Sequence, residues 1–116
     1  MNTTQVYLLE GYGWECRVAP HWGMNPFSLC YRGEPVLRAP VTTEELAARP
    51  CVYGSALLLP ANRTENGCFT FEGTQYRLPL NDPAGNNHVH GFVNRAAFTV
   101  ESADELHICA RLENEG

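Results

Sequence analysis

Polar and apolar residues alternate along most of this chain, in short runs broken by glycine or proline. Period-two alternation places one kind of side chain on each face of an extended backbone, so each run is predicted as a strand. Residues 5–10 and 14–19 flank Gly11-Tyr12-Gly13 and read as an opening hairpin, and residues 27–32 and 35–38 flank Gly33-Glu34 and read as a second. Phe69-Thr70-Phe71, a Glu72-Gly73-Thr74 turn and residues 75–78 form the clearest hairpin, with Phe69 and Phe71 on one face. Residues 92–100 and 105–112 complete the predicted strands. One segment breaks the rhythm: Thr42 stands three residues ahead of Glu45, a capping signal, and predicts one short helix through Ala48 that Pro50 stops. Residues 50–67 and 79–87 carry no period at all, and irregular stretches of that length in a compact domain more often serve function than support. The fold class these elements predict is all-β and sandwich-like, with at most one short helix.

Composition narrows the function classes. A chain of 116 residues is one segment, long enough to enclose a single core, and 44% hydrophobic with 18% charged residues is neither a disordered tail nor a charged coiled coil. Thirteen acids outweigh eight bases, all of them scattered arginines, so no nucleic-acid partner driven by phosphate contacts is expected. The longest apolar run, Ala56-Leu57-Leu58-Leu59, is far too short to span a bilayer, so no membrane partner is expected either. Five cysteines make an odd set without a CxxC pair, and the N-terminal residues show no secretion signal. Free thiols in a reducing, cytoplasmic setting follow as the expectation.

Three kinds of chemistry can be weighed on spacing. His88 and His90 form one i, i+2 pair and His107 and Cys109 another, an arrangement that could supply four zinc ligands but lacks any acidic or CxxC reinforcement. Ser28, Ser55 and Ser102 lie in no nucleophile-elbow context, and no cysteine lies in an active-site motif. The informative sequences fall in the two irregular stretches. Asn62-Arg63 sets an amide beside a guanidinium, and Asn86-Asn87-His88-Val89-His90 offers two amides and two imidazoles just before a predicted strand. Such groups can hold sugar hydroxyls in fixed directions, and they can equally stabilise a loop by hydrogen bonding.

From Gly54 to Gly91 these features stand in a familiar order: Gly54, an apolar run with Pro60, Asn62-Arg63, Gly67-Cys68-Phe69, Gly73-Thr74-Gln75-Tyr76-Arg77-Leu78 and His90-Gly91. The series resembles the aldose 1-epimerase (galactose mutarotase-like) family, and residues 21–29 and 33–38 look like that family's opening hairpins. The resemblance implies a β-sandwich of the mutarotase-like supersandwich type, of which residues 1–116 would be an N-terminal, incomplete portion. It implies interconversion of the α and β anomers of a free hexose or a sugar phosphate, with Arg63 and Arg95 leaving a phosphosugar open. A base takes the anomeric hydroxyl proton, an acid protonates the ring oxygen, and the opened ring recloses on its other face.

Carried over by position, Asn62 and Arg63 match the family's sugar-binding pair, and His90 matches the catalytic histidine near the ring oxygen. His88 stands where it would support substrate binding. No metal and no cofactor are implied. The family's acid histidine and base glutamate lie further along the chain than any residue matched here, so the 116-residue chain is expected to be inactive alone. The alternative is a non-catalytic carbohydrate-binding or assembly module on the same fold. Residues 113–116 look like a turn opening onto another strand, and exposed sheet edges predict a homo-oligomer.

Overall fold

The computed structural model describes residues 5–114, so Met1–Thr4 and the last two residues of the expected closing turn lie outside the described residues. These residues form ten strands, one short α-helix and two 3₁₀ turns, and they divide into two compact units. The first comprises residues 5–57 and 93–114, the second Leu58–Phe92. The all-β expectation with one short helix therefore holds.

In the first unit β1 (Tyr7–Gly11), β2 (Trp14–Ala19), β3 (Asn25–Tyr31) and β4 (Glu34–Pro35) form an antiparallel sheet in that order. The β1–β2 and β3–β4 turns centre on Tyr12-Gly13 and Arg32-Gly33, all four at positive φ, the geometry whose twist matches a two-residue hairpin. Strand β4 is shorter than the expected 35–38. Pro35 has no N–H to give the ladder, and Val36 donates instead to the Leu29 carbonyl at 2.8 Å.

Helix α1 (Thr43–Ala48) forms where the capping signal places it. The Thr42 hydroxyl accepts from the Glu45 N–H at 3.2 Å, while the Glu45 carboxylate accepts from the Val41 N–H at 2.7 Å. Its inward residue, Leu46, is fully buried and clusters with Ala19 and Phe27, with Val6, Trp22 and Tyr53 packed around them. Beside this cluster Asn25 is buried and fully used. It donates to the Pro50 and Tyr53 carbonyls at 3.4 and 3.2 Å and accepts from the Ser55 N–H at 3.0 Å, tying β3 to residues 50–55.

The strand expected at 92–100 does not form as such. Val93–Arg95 is a 3₁₀ turn, and the strand begins only at β9 (Thr99–Ala103), paired with β10 (Ile108–Arg111). Side chains at 94 and 95 explain the break. Asn94 is buried with its amide donating to Cys51 Sγ at 3.2 Å, and Arg95 donates to the terminal α1 carbonyls of Ala47 and Ala48 at 2.9 and 3.5 Å. Those carbonyls have no partner within the helix, and a cation at that end is favourable.

The second unit holds β5 (Arg63–Glu65), β6 (Cys68–Phe71), β7 (Thr74–Arg77) and β8 (Asn87–Val89), with β5 paired to β8 and β6 to β7, both antiparallel. Phe69 and Phe71 do share a face, and Phe69 stacks on Tyr76 at 5.1 Å, yet all three remain exposed. Among the described residues all five cysteines are free thiols, and no helix is long and apolar enough to cross a membrane.

Candidate functional site

Asn62, Arg63, His88 and His90 all fall within the Leu58–Phe92 unit, on and beside one short antiparallel ladder. In its register Arg63 stands opposite Val89, Thr64 opposite His88 and Glu65 opposite Asn87. The ladder runs one step further: the His90 N–H donates to the Asn62 carbonyl at 2.9 Å, bringing those two residues side by side at its end. Both sit in the left-handed region, at φ 59° and 66°. A branched carbon there costs energy, and residues held in that region cluster at functional sites.

Gly91 explains why the histidine is followed by glycine. It bridges to Leu59 at φ 72°, and a Cβ at that position would overlap the Leu59 carbonyl. Only glycine lets the chain leave β8 so close to the 59–60 backbone.

His88 is buried, not an exposed loop residue. Its Nδ1 lies 2.7 Å from the Pro79 carbonyl, which can only accept, so the ring proton is on Nδ1 and Nε2 is left as an acceptor in the neutral ring. Nε2 has no protein partner and is itself enclosed, and the ring lies against Phe92 at 5.0 Å. His88 thus anchors Pro79 to β8 and presents no open edge to a ligand. Asn62 and Arg63 are exposed and His90 is half-buried.

The stretch 79–87, irregular by sequence, is tied down by amides. Asn81 donates to the Val89 carbonyl at 3.0 Å and accepts from the Val89 N–H at 2.6 Å, so its side chain substitutes for a neighbouring strand. Asp82 and Asn87 exchange backbone hydrogen bonds at 3.0 and 3.2 Å, and Asn86 donates to the Asn66 side chain at 2.9 Å. Asn81 and Asp82 were not among the residues expected at the site, although Asn-Asp-Pro is a turn signal.

The other expectations separate cleanly. Among the described residues no three His, Cys, Asp or Glu side chains come together to hold a metal. His107 is exposed beside Asp104 in the β9–β10 connection. Arg95, occupied on α1, belongs to the first unit, and Glu101 and Glu113 are both engaged by Arg111 there. Desolvation pushes the Cys16 and Cys51 thiols up, the Arg95 charge drawing Cys51 partly back, which leaves both poor nucleophiles at neutral pH. What the second unit can offer chemically is an exposed amide and guanidinium with an imidazole at one ladder end, donors and acceptors of the kind that grip hydroxyls.

The Aldose 1-epimerase family profile matches residues 27–115. A galactose mutarotase-like protein from Clostridium acetobutylicum superposes with a TM-score of 0.73 at 28% identity, over 85% of this chain and 34% of that one. A candidate aldose 1-epimerase of Escherichia coli K12 gives 0.80 at 20% identity, over 97% and 37%, and galactose 1-epimerase from Lactobacillus acidophilus NCFM gives 0.65 at 22%, over 89% and 31%. The fold is that of galactose mutarotase-like proteins, and the chain spans about a third of the length of each structure.

Proposed function

The chain belongs to the aldose 1-epimerase family, and on that premise we propose that its Leu58–Phe92 unit is the sugar-gripping part of a mutarotase-like site. Asn62 and Arg63 hold ring hydroxyls, and His90 hydrogen-bonds near the ring oxygen as the ring opens. His88 supports them from behind by fixing β8 against Pro79. The observation that carries this reading is the end of the β5–β8 ladder, where Asn62 and His90 meet in paired left-handed conformations. The substrate is a free sugar. Arg95, the second arginine a phosphate would call on, is already spent on the α1 carbonyls of Ala47 and Ala48.

Neither a general acid nor a general base matches the family pattern within these 116 residues, so the chain alone is proposed to bind without turning over appreciably. Saturation-transfer NMR of galactose and glucose anomers tests this. Wild-type chain should leave exchange at the buffer rate while sugar shifts protein resonances, and exchange above buffer that His90→Ala abolishes would show a complete catalytic set. Absence of both exchange and shifts would refute the sugar reading.

A binding or assembly role on the same fold is favoured by a separate observation. Fifteen large apolar side chains among the described residues are exposed, from Leu8 to Leu112. Apolar surface on that scale drives association, so the chain is proposed to self-associate, in a cytoplasmic setting that suits its free thiols. A sedimentation profile of pure monomer at high concentration would refute that.

A further inference from the structure

Arg63 is an exposed cation at the candidate site, and among the described residues it is held by one ion-pair contact. Its Nε lies 3.4 Å from Asp82 Oδ2, with 59% of the arginine side chain and 23% of the aspartate side chain exposed. The hydrogen bond to Asp82 is made through Nε, so the two Nη groups, the outer edge of the guanidinium fork, keep their donors for a ligand. Asp82 is itself built into place. Its backbone is paired both ways with Asn87, its Oδ2 also accepts from the Asn87 amide at 3.4 Å, and a Cβ at Gly85 would press on both side chains. Four residues, Pro83 to Asn86, close this small loop and bring a fixed carboxylate from outside the β5–β8 ladder to the arginine on β5.

We propose that Asp82 is a positioning residue for Arg63, aligning the guanidinium through Nε so that its Nη edge is presented to a ligand's hydroxyls. The presentation to a hydroxyl rests on the sugar-binding reading; the alignment does not. A pair this exposed contributes little to stability. Its effect lies in the freedom it removes from a long side chain that would otherwise sample many rotamers.

The test follows the Arg63 Nε–H resonance in the 116-residue chain by heteronuclear NOE, with and without galactose. Asp82→Ala should turn a rigid Nε–H into a mobile one and weaken the galactose-induced shifts at Asn62 and Arg63 about threefold. Asp82→Asn, which keeps the shape and an acceptor oxygen, should fall between and guards against loss of the loop. Asn87→Ala removes the amide bond to Asp82 but keeps the backbone pairing, so the Arg63 Nε–H should loosen less than in Asp82→Ala, whereas a merely structural role would make the two variants alike. An unchanged Nε–H in Asp82→Ala overturns the proposal. If wild type shows a rigid Nε–H lost in Asp82→Ala but no response to galactose, the alignment stands and the sugar reading falls.

Discussion

The two units are held together by different physics. In residues 5–57 and 93–114 a small apolar cluster of Ala19, Phe27 and Leu46 is enclosed by a helix and a four-stranded sheet, with Asn25 satisfying the carbonyls that burial would otherwise strand. In Leu58–Phe92 the only buried side chain among the described residues is His88. That unit relies on backbone ladders and on asparagine and aspartate side chains that act as substitute backbone. Hydrogen bonds exchanged with water contribute little each, whereas enclosed apolar area contributes in proportion to its size. The contrast teaches where to look for function: polar side chains, not apolar ones, shape the second unit, and Asn62, Arg63 and His90 are there.

The contrast yields a ranked set of expectations, read by hydrogen exchange in each unit separately because local opening can differ between them. Gly91→Ala should be the most damaging, about 3 kcal/mol or more, since it combines positive φ with overlap on the Leu59 carbonyl. Protection should vanish from β5 and β8 while β1–β3 keep theirs. Next, Asn25→Ala should cost the first unit about 2–3 kcal/mol by leaving two carbonyls and the Ser55 N–H without a partner. His88→Leu should cost about 1 kcal/mol, because losing the bond to Pro79 is partly offset by removing an enclosed acceptor. An equal or larger loss in the first unit from either of the Gly91 or His88 substitutions would erase the distinction.

The smallest effect concerns pH and belongs to the first unit. Asp104 is held below the ordinary carboxylate range, chiefly by the N–H groups of Leu106 and His107, with a lesser contribution from the His107 side chain. A depressed folded-state value means the stabilisation is complete above the ordinary range of about 4 and fades as pH falls through the lowered value. The β9–β10 connection should therefore loosen in acid, and Asp104→Asn should remove that dependence while leaving the second unit untouched.

Much of the first unit, and the β6–β7 hairpin of the second, was legible in the sequence because their signals are local. Alternation and turn residues placed β1–β3, β6 and β7, and the Thr42 and Glu45 pair placed α1. Strands β5 and β8 were not legible. Arg63-Thr64-Glu65 and Asn87-His88-Val89 are three residues each and mostly polar, and they exist as strands only because they pair with one another across the 21 residues between them. The interruption at Val93–Arg95 was equally hidden, since Arg95 serves carbonyls 47 and 48 residues earlier and carries no neighbouring cue. The candidate site residues were found by resemblance and by residue type, and the ladder then joined Asn62 to His90. Asp82 escaped notice because an aspartate before proline signals a turn before it signals a partner for arginine.

The most direct measurement is an amide and side-chain chemical-shift map of the chain titrated with galactose. Shifts confined to Leu58–Phe92, largest at Asn62, Arg63 and His90 and abolished by Arg63→Ala, are the predicted result. Shifts centred on β1–β4, or none at concentrations that saturate a millimolar site, would contradict the assignment of sugar binding to the hydrogen-bonded unit.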